Sequence, residues 1–181
     1  MAGHSHWKQI KEQKGVTDKK RGAAFSKLLK AVAAAAKSEP NPQFNPRLRT
    51  AIETARAEGV PNDNIERAIS RARGEGAVEE VVMEAYGPGG SALIIAGITD
   101  NTNRTVNEIK ALLRDAGAKW ADPGSVRWAF EEIRSPEGVV WKPKFPQALS
   151  SEDAASLRAL VEAISRHDDI QHVFSNPPET L

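Results

Sequence analysis

The front of the chain has the hydrophobic spacing of an amphipathic helix. Between residues 18 and 37, apolar side chains recur every three or four positions, and a run of alanines follows them. These apolar positions are Phe25, Leu28, Leu29 and Val32. The stretch SEPNPQFNP ends the helix, because proline lacks a backbone donor and restricts the residue before it.

Two further helices are predicted before residue 76. Asn45 followed by Pro46 is a good N-cap and first-turn pair, and the helix that they begin should end at Gly59. Asp63 and Glu66 have the spacing of a capping box for the next helix. Residues 1–76 are therefore expected to form a domain of three helices.

After residue 76 the pattern changes to β-branched and apolar runs. The runs EEVVMEAY and ALIIAGI flank the turn GPGG and are expected to be two strands. A helix, the strands VRWAFEEI and VVWKPKF, a second helix and the strand IQHVFS follow in that order. The order β-α-β-β-α-β, with one extra leading strand, predicts an α+β fold with a ferredoxin-like domain over residues 77–181.

Charge is distributed unevenly between these two parts. Residues 1–76 hold 15 Lys and Arg against 8 Asp and Glu, whereas residues 77–181 hold 10 against 16. Clustered cations favour a polyanion, so nucleic acid is the partner to expect. The candidate phosphate contacts near the amino terminus are Lys8, Lys11, Lys14, Lys19, Lys20, Arg21, Lys27 and Lys30.

Three smaller groups of residues add to this candidate interface, each with an alternative role. Trp7 could stack on an unpaired base or pack against the helical domain, and packing is favoured. Arg47 and Arg49 continue the basic face, although Glu residues at helical spacing could pair with such arginines. A strand–helix junction could hold an anion, or its residues could serve only as turn and cap. The junction candidates are Asn101, Asn103 and Arg104, beside Asp100 and Thr105.

Several other functions are not expected. The chain has no cysteine, and no nucleophile with an identifiable base stands out, so neither an enzyme, a cofactor nor a small-molecule substrate is predicted. His4 and His6 have no further ligand nearby in sequence, so no metal site is predicted. No apolar run reaches the roughly 20 residues of a membrane span, and no secretory signal is evident. A cytoplasmic protein, with a monomer favoured, is expected.

Several blocks of sequence resemble one family. They are AGHSHWKQIK, DKKRGAAFSKLLK, NPRLRTAIETARAEGVPNDNIERAISR, EAYGPGG, ITDNTNRTVNEIK and DDIQHVFSN. The chain resembles the YebC/PmpR family, which includes mitochondrial translational activators of cytochrome oxidase. The resemblance implies a helical domain, a ferredoxin-like domain and non-enzymatic work in gene expression. Family members are described both as DNA-binding transcriptional regulators and as ribosome-associated factors that relieve stalling on proline-rich sequences.

Two departures from the family pattern stand out. His6 stands where the family usually has Lys, which weakens the charge there at neutral pH. The family usually also carries a third small module after the RWAFEEI-like strand, whereas only residues 134–138 separate the two segments here. The inserted module is therefore expected to be absent, and no activity located there carries over.

The functional prediction is a regulator of gene expression that binds nucleic acid. An RNA- and ribosome-associated translation factor that eases elongation on proline-rich sequences is favoured. A duplex-DNA-binding transcriptional regulator is the alternative, because phosphate contacts serve both equally well. A hydrolase built around Asp100 and Arg104 is a third hypothesis.

Overall fold

The computed structural model describes residues 21–74, 76–135 and 138–177. Its first part is helical: α1 covers residues 21–36 of the described chain, α2 is Pro46–Ala57 and α3 is Asn62–Arg71. Asn45 caps α2 as predicted, because its side-chain oxygen accepts the Leu48 backbone N–H at 3.0 Å. Gly59 ends that helix with a φ of 80°, a conformation that glycine adopts without strain.

The three helices enclose a small apolar core. Its most buried side chains include Val32 from α1, Leu48 and Ile52 from α2, and Ile65 from α3. The buried Asn45 amide also donates to the Ala35 carbonyl at 2.8 Å, so the cap of α2 is tied to the end of α1. The predicted periodicity of the first helix therefore identified its core-facing positions, with Val32 fully buried and Phe25, Leu28 and Leu29 packed against the core.

Strands and two more helices occupy the described residues after residue 76. They are β1 Glu79–Tyr86, β2 Ala92–Thr99, α4 Thr102–Asp115, β3 Lys119–Ala121, β4 Phe130–Ser135, β5 Gly138–Pro143, α5 Ser151–Ser165 and β6 Ile170–Ser175. Strands β3, β1, β2 and β6 lie side by side in that order, with antiparallel neighbours, and β4 pairs with β5 in a separate hairpin.

The four-stranded sheet is covered on both faces, which explains why β2 is apolar from Ala92 to Ile98. Leu93 and Ile95 face a core formed with α4 and α5. Ala92 and Ile94 face a second core, which contains Trp141 of the β4–β5 hairpin. Helices therefore pack on one face and the hairpin packs on the other.

The predicted fold class, a helical part followed by an antiparallel α+β part, is confirmed. The structure adds detail to the strand arrangement: β1 is a central strand of the sheet, and the segments VRWAFEEI and VVWKPKF pair only with each other in the hairpin. The first of these becomes extended only at Phe130, because Arg127–Ala129 forms a 3-10 turn. Glu84 holds that turn by accepting the Val126 and Arg127 backbone N–H groups. The division into domains at residue 76 stays a prediction.

Candidate functional site

Helix α1 contacts the α+β part through two of the predicted phosphate-binding lysines. Lys27 donates from Nζ to the Ser165 carbonyl at 2.5 Å, and Lys30 donates to the Asp168 carbonyl at 3.2 Å. Lys30 also forms an ion pair with Asp169. Burial lowers the pKa of Lys27, although the charge of Asp168 opposes that effect. These two lysines therefore hold the helical part against the α+β part.

Asp169, just before β6, is the centre of this contact. Its side chain is only 2% exposed, and it binds Lys30 on one oxygen and Arg104 on the other, the latter at 2.8 Å. Thr105 and Thr99 donate hydroxyl hydrogen bonds to it at 2.5 and 3.1 Å. Burial alone would raise the pKa of Asp169, but hydrogen bonds from Lys30, Thr105 and Arg104 and the charge of Lys30 lower it well below its usual range.

His167 extends this cluster toward the surface. Its Nδ1 accepts the Asp169 backbone N–H at 3.1 Å, which places the ring proton on Nε2, 2.8 Å from Glu108. Ligand atoms of Glu108, His167 and Asp169 lie within 4.8 Å of one another. A metal ion fits this set poorly, because both Asp169 oxygens already bind cations and hydroxyl groups.

A cleft of about 710 Å³ opens beside this cluster, between α1, α4 and the end of α5. Its wall carries Lys30, Arg104 and Arg166 but also four carboxylates, among them Asp100 and Glu108. Arg166 is paired with Glu162, and Arg104 is paired with Asp100 at 2.8 Å. The mixed and largely paired charges make this cleft a poor site for an anionic ligand.

The predicted candidates at the amino terminus lie outside the described residues. These are Trp7, Lys8, Lys11, Lys14, Lys19 and Lys20. Arg21 is the first described candidate, and its exposed guanidinium lies 5.1 Å from the centre of the Phe25 ring. Roles for all seven in nucleic-acid binding stay predictions.

The two arginine candidates of α2 differ in their surroundings. Arg47 pairs with Glu80 of β1, so it contributes a second contact between the helical part and the sheet. Arg49 is exposed, and no salt bridge involves it among residues 21–74, 76–135 and 138–177. Arg49 is therefore exposed as a phosphate contact requires, whereas the ion pair with Glu80 makes Arg47 less available to a phosphate.

The predicted strand–helix junction is chiefly a helix cap. Asn101 is the N-cap of α4, and its side chain accepts the Arg104 backbone N–H at 3.0 Å. Thr99 accepts the Asn101 backbone N–H at 3.0 Å, and Asn103 is exposed. The contacts of Asn101 and Arg104 are thus those of a helix cap and an ion pair. Asn103 has no side-chain hydrogen bond among the described residues.

Sequence reasoning missed Asp169, because a carboxylate before a strand resembles an ordinary turn residue. It also missed Glu84, which lies within the apolar pattern of β1 and is 2% exposed. Glu84 accepts backbone N–H groups from Gly124 and Val126 at 2.7 and 2.8 Å, and Arg127 pairs with it. The sequence did contain a signal for Glu84, because a charged residue within an otherwise apolar stretch of a strand needs a partner if it is buried.

Comparison with protein families agrees with this architecture. The model of the TACO1/YebC protein N-terminal domain matches residues 5–75, and the model of the TACO1/YebC second and third domain matches residues 78–137. The chain belongs to the TACO1/YebC family. The predicted family resemblance is thereby confirmed.

Individual relatives match almost the whole chain. A probable transcriptional regulatory protein of Thermus thermophilus is 37% identical over 240 aligned positions, covering 100% of this chain and 98% of the relative. One from Solibacter usitatus is 34% identical over 235 positions, with 97% and 95% covered. Both alignments exceed the 181 residues of this chain, so each relative contains residues that this chain lacks. That difference is in line with the expected absence of an inserted module.

A solved structure supports the family assignment at the level of the fold. The crystal structure of a conserved hypothetical protein from Aquifex aeolicus aligns with a TM-score of 0.80 and 30% identity. The alignment covers 89% of this chain and 93% of that chain. Within the described residues, no helix has the length and apolar character needed to cross a bilayer.

Proposed function

We propose that this TACO1/YebC protein is a nucleic-acid-binding regulator of gene expression whose helical part binds the phosphate backbone. The observation that carries this proposal is the charge of the helical part. Its described residues 21–74 hold ten Lys and Arg against five Asp and Glu. Relatives named probable transcriptional regulatory proteins support a regulatory role. No catalytic step is part of the proposal, and the protein is proposed to act in the cytoplasm as a monomer.

The contacts within the structure show which of the described cations are already bound within the chain and which are exposed to a phosphate. Lys27, Lys30 and Arg104 are engaged at the junction around Asp169 and would have to break those bonds to reach a phosphate. Arg21, Arg49 and Arg71 are exposed, and no carboxylate pairs with them among the described residues. We therefore assign the first phosphate contacts of the described part to these three arginines, together with the lysines before residue 21.

The finer proposal is an RNA- and ribosome-associated factor that eases translation of proline-rich sequences. Its support is the absence of an obvious reading helix in residues 21–74. One face of helix α3 is exposed, yet on it Arg67 is bound to the Asp63 carbonyl at 3.1 Å and to Asn64, which engages two side chains that could read bases. The alternative is a transcriptional regulator that binds duplex DNA, and it is in line with the names of the relatives, which are probable transcriptional regulatory proteins.

Ribosome co-sedimentation with duplex DNA as competitor separates the two proposals. Wild-type protein is sedimented with purified ribosomes over a salt series, with and without an excess of promoter-length duplex. Saturable binding that resists the duplex supports the translation factor. Binding that the duplex removes at equal phosphate concentration supports the transcriptional regulator instead.

A matched pair of triple variants shows whether the helical part is responsible. R21A/R49A/R71A removes three exposed cations from it. R114A/R134A/R166A removes three from the α+β part, where each side chain is more than three-quarters exposed and paired with a carboxylate. The proposal expects weaker binding only for the first variant, and equal losses for both variants would contradict it.

A further inference from the structure

Two large aromatic rings lie exposed next to each other beside the β4–β5 hairpin. Trp128 is 63% exposed and Phe145 is 58% exposed, and their ring centres are 5.8 Å apart with a 41° angle between the planes. Neither ring belongs to the apolar clusters described above. Rings of this size usually contribute to a core, so an exposed pair indicates a binding surface.

The backbone that carries Trp128 is fixed in place. Trp128 donates its indole N–H to the Ser125 carbonyl at 2.8 Å, and Tyr86 donates to the same carbonyl at 3.0 Å. The buried Glu84 accepts the backbone N–H groups of Gly124 and Val126 in the same turn. The indole therefore keeps its orientation although most of its surface faces solvent.

The backbone around Phe145 is also held by hydrogen bonds. Lys144 donates its backbone N–H to the Ala129 carbonyl at 2.8 Å, which places Phe145 beside the turn that carries Trp128. The Asn176 amide donates to the Phe145 carbonyl at 3.5 Å, and the Gln147 backbone N–H donates to the Asn176 carbonyl at 3.3 Å. A preorganised surface loses little conformational entropy when a ligand binds.

The charges around the pair favour an anionic partner. The segment VVWKPKFPQ contributes Lys142 and Lys144, both exposed, and contains no carboxylate, although the second part of the chain is acidic overall. The guanidinium of Arg127 lies 5.2 Å from the Trp141 ring, but it is paired with the buried Glu84 at 3.2 Å, so Lys142 and Lys144 are the cations that matter here. Strand β4 carries two exposed carboxylates, Glu131 opposite Lys142 and Glu132 opposite Trp141, whereas Lys144 directly precedes Phe145.

We propose that Trp128 and Phe145 form a stacking platform for unpaired bases of single-stranded RNA. Aromatic faces flanked by cations are the common chemistry of single-strand binding, since bases stack on the rings and cations follow the phosphates. A duplex offers only stacked, paired bases and is not a ligand of this surface. The inference rests on the proposed function for the identity of the partner, and it adds a contact separate from the basic helices.

The platform is tested directly by titrating the full-length protein with hexa-adenylate RNA. The indole N–H signal of Trp128 in a nitrogen-15 spectrum, assigned with W128F, is expected to shift, while that of the buried Trp141 stays in place. Binding of a longer single-stranded RNA is measured by anisotropy. W128A is expected to weaken it about 5-fold to 100-fold, the range for losing one stacked base, and W128F is expected to retain most of it.

Two controls make the result specific. F44A removes another exposed ring, 75% exposed in the helical part, and should leave the affinity unchanged. Duplex RNA should bind wild type and W128A equally. Melting curves for W128A, whose indole is mostly exposed, show whether the turn stays folded, and F145A gives a second variant that leaves the Ser125 contacts intact.

The inference is overturned if hexa-adenylate leaves the Trp128 indole signal in place, or if W128A and F145A bind single-stranded RNA like wild type. If sedimentation gives W128A a different molecular mass from wild type while its RNA binding is unchanged, the surface serves self-association instead. Failure of the proposed function gives a different result. In that case R21A/R49A/R71A binds nucleic acid like wild type across the salt series. The indole titration still decides the platform, because it needs no contribution from those arginines.

Discussion

Lys30 of α1 and Asp169 before β6 form an ion pair between the helical part and the α+β part of the chain. The same carboxylate binds Arg104 of α4 at 2.8 Å. One buried side chain thus connects three segments that are far apart in sequence. This arrangement explains why two cations that look like phosphate contacts in the sequence have a structural role.

Replacing Asp169 with Asn should destabilise the protein. The amide removes the charge that compensates Lys30 and Arg104, and its NH2 group cannot accept the bonds that the second oxygen receives. Because both cations keep some contact with solvent, we expect a loss of about 2–4 kcal/mol in the free energy of unfolding. Urea unfolding measures it, with D168N at the neighbouring exposed residue as the control. Equal losses in both variants would contradict the special role of Asp169.

The stabilisation by Asp169 should depend on pH. Its pKa is lowered in the folded protein, so the unfolded chain takes up the proton first, near the ordinary Asp value of about 3.9. The contribution is therefore complete above that value and falls as the pH drops toward the folded-state pKa. Urea unfolding between pH 3 and 7 should show a constant difference between wild type and D169N above about pH 5 and a shrinking one below about pH 4. A difference that grows on acidification would refute this sign.

Replacing Glu84 with Gln should loosen the turn that carries Trp128. The carboxylate accepts N–H groups from Gly124, Val126 and Arg127, whereas one half of an amide would present a donor to these donors. We expect a loss of about 1–3 kcal/mol in the free energy of unfolding and faster hydrogen exchange at Val126. E131Q, at an exposed position of the hairpin, should leave both quantities unchanged. Unchanged exchange at Val126 in E84Q would show that Glu84 does not hold the turn.

The two asparagines at the start of α4 should behave differently. N101A removes the cap that accepts the Arg104 N–H and should cost about 1 kcal/mol of stability. Asn103 is exposed, so N103A should leave thermal stability unchanged. Calorimetric melting of both variants measures the difference. A loss of nucleic-acid affinity in N103A alone would support its predicted role as a contact, and equal melting temperatures would argue against the cap.

Local patterns in the sequence predicted the first two helices well, but the predicted capping box of Asp63 and Glu66 is wrong, because α3 begins at Asn62 without a side-chain cap. The Asn45 cap, the end of α2 at Gly59 and the core position of Val32 follow from helix-end chemistry and hydrophobic period alone. The short strand β3 was missed, because three residues are too few to show an alternating pattern.

The parts of the site that the sequence did not predict depend on contacts between distant segments. Asp169 lies 139 positions from Lys30, and nothing local distinguishes it from the exposed Asp168 beside it. Trp128 and Phe145 have the hydrophobicity of core residues, and only the tertiary structure shows that they are exposed. Charge patterning predicted the kind of partner, but it could not separate the cations that bind within the chain from those that face solvent.

The central claim is that the helical part binds nucleic acid through its exposed cations. The most direct measurement is the salt dependence of binding to single-stranded RNA, compared between wild type, R21A/R49A/R71A and the control R114A/R134A/R166A. For three lost phosphate contacts, the negative slope of log affinity against log salt should become shallower by about 2 units in the first variant and stay unchanged in the control. Equal slopes in all three proteins would contradict the claim.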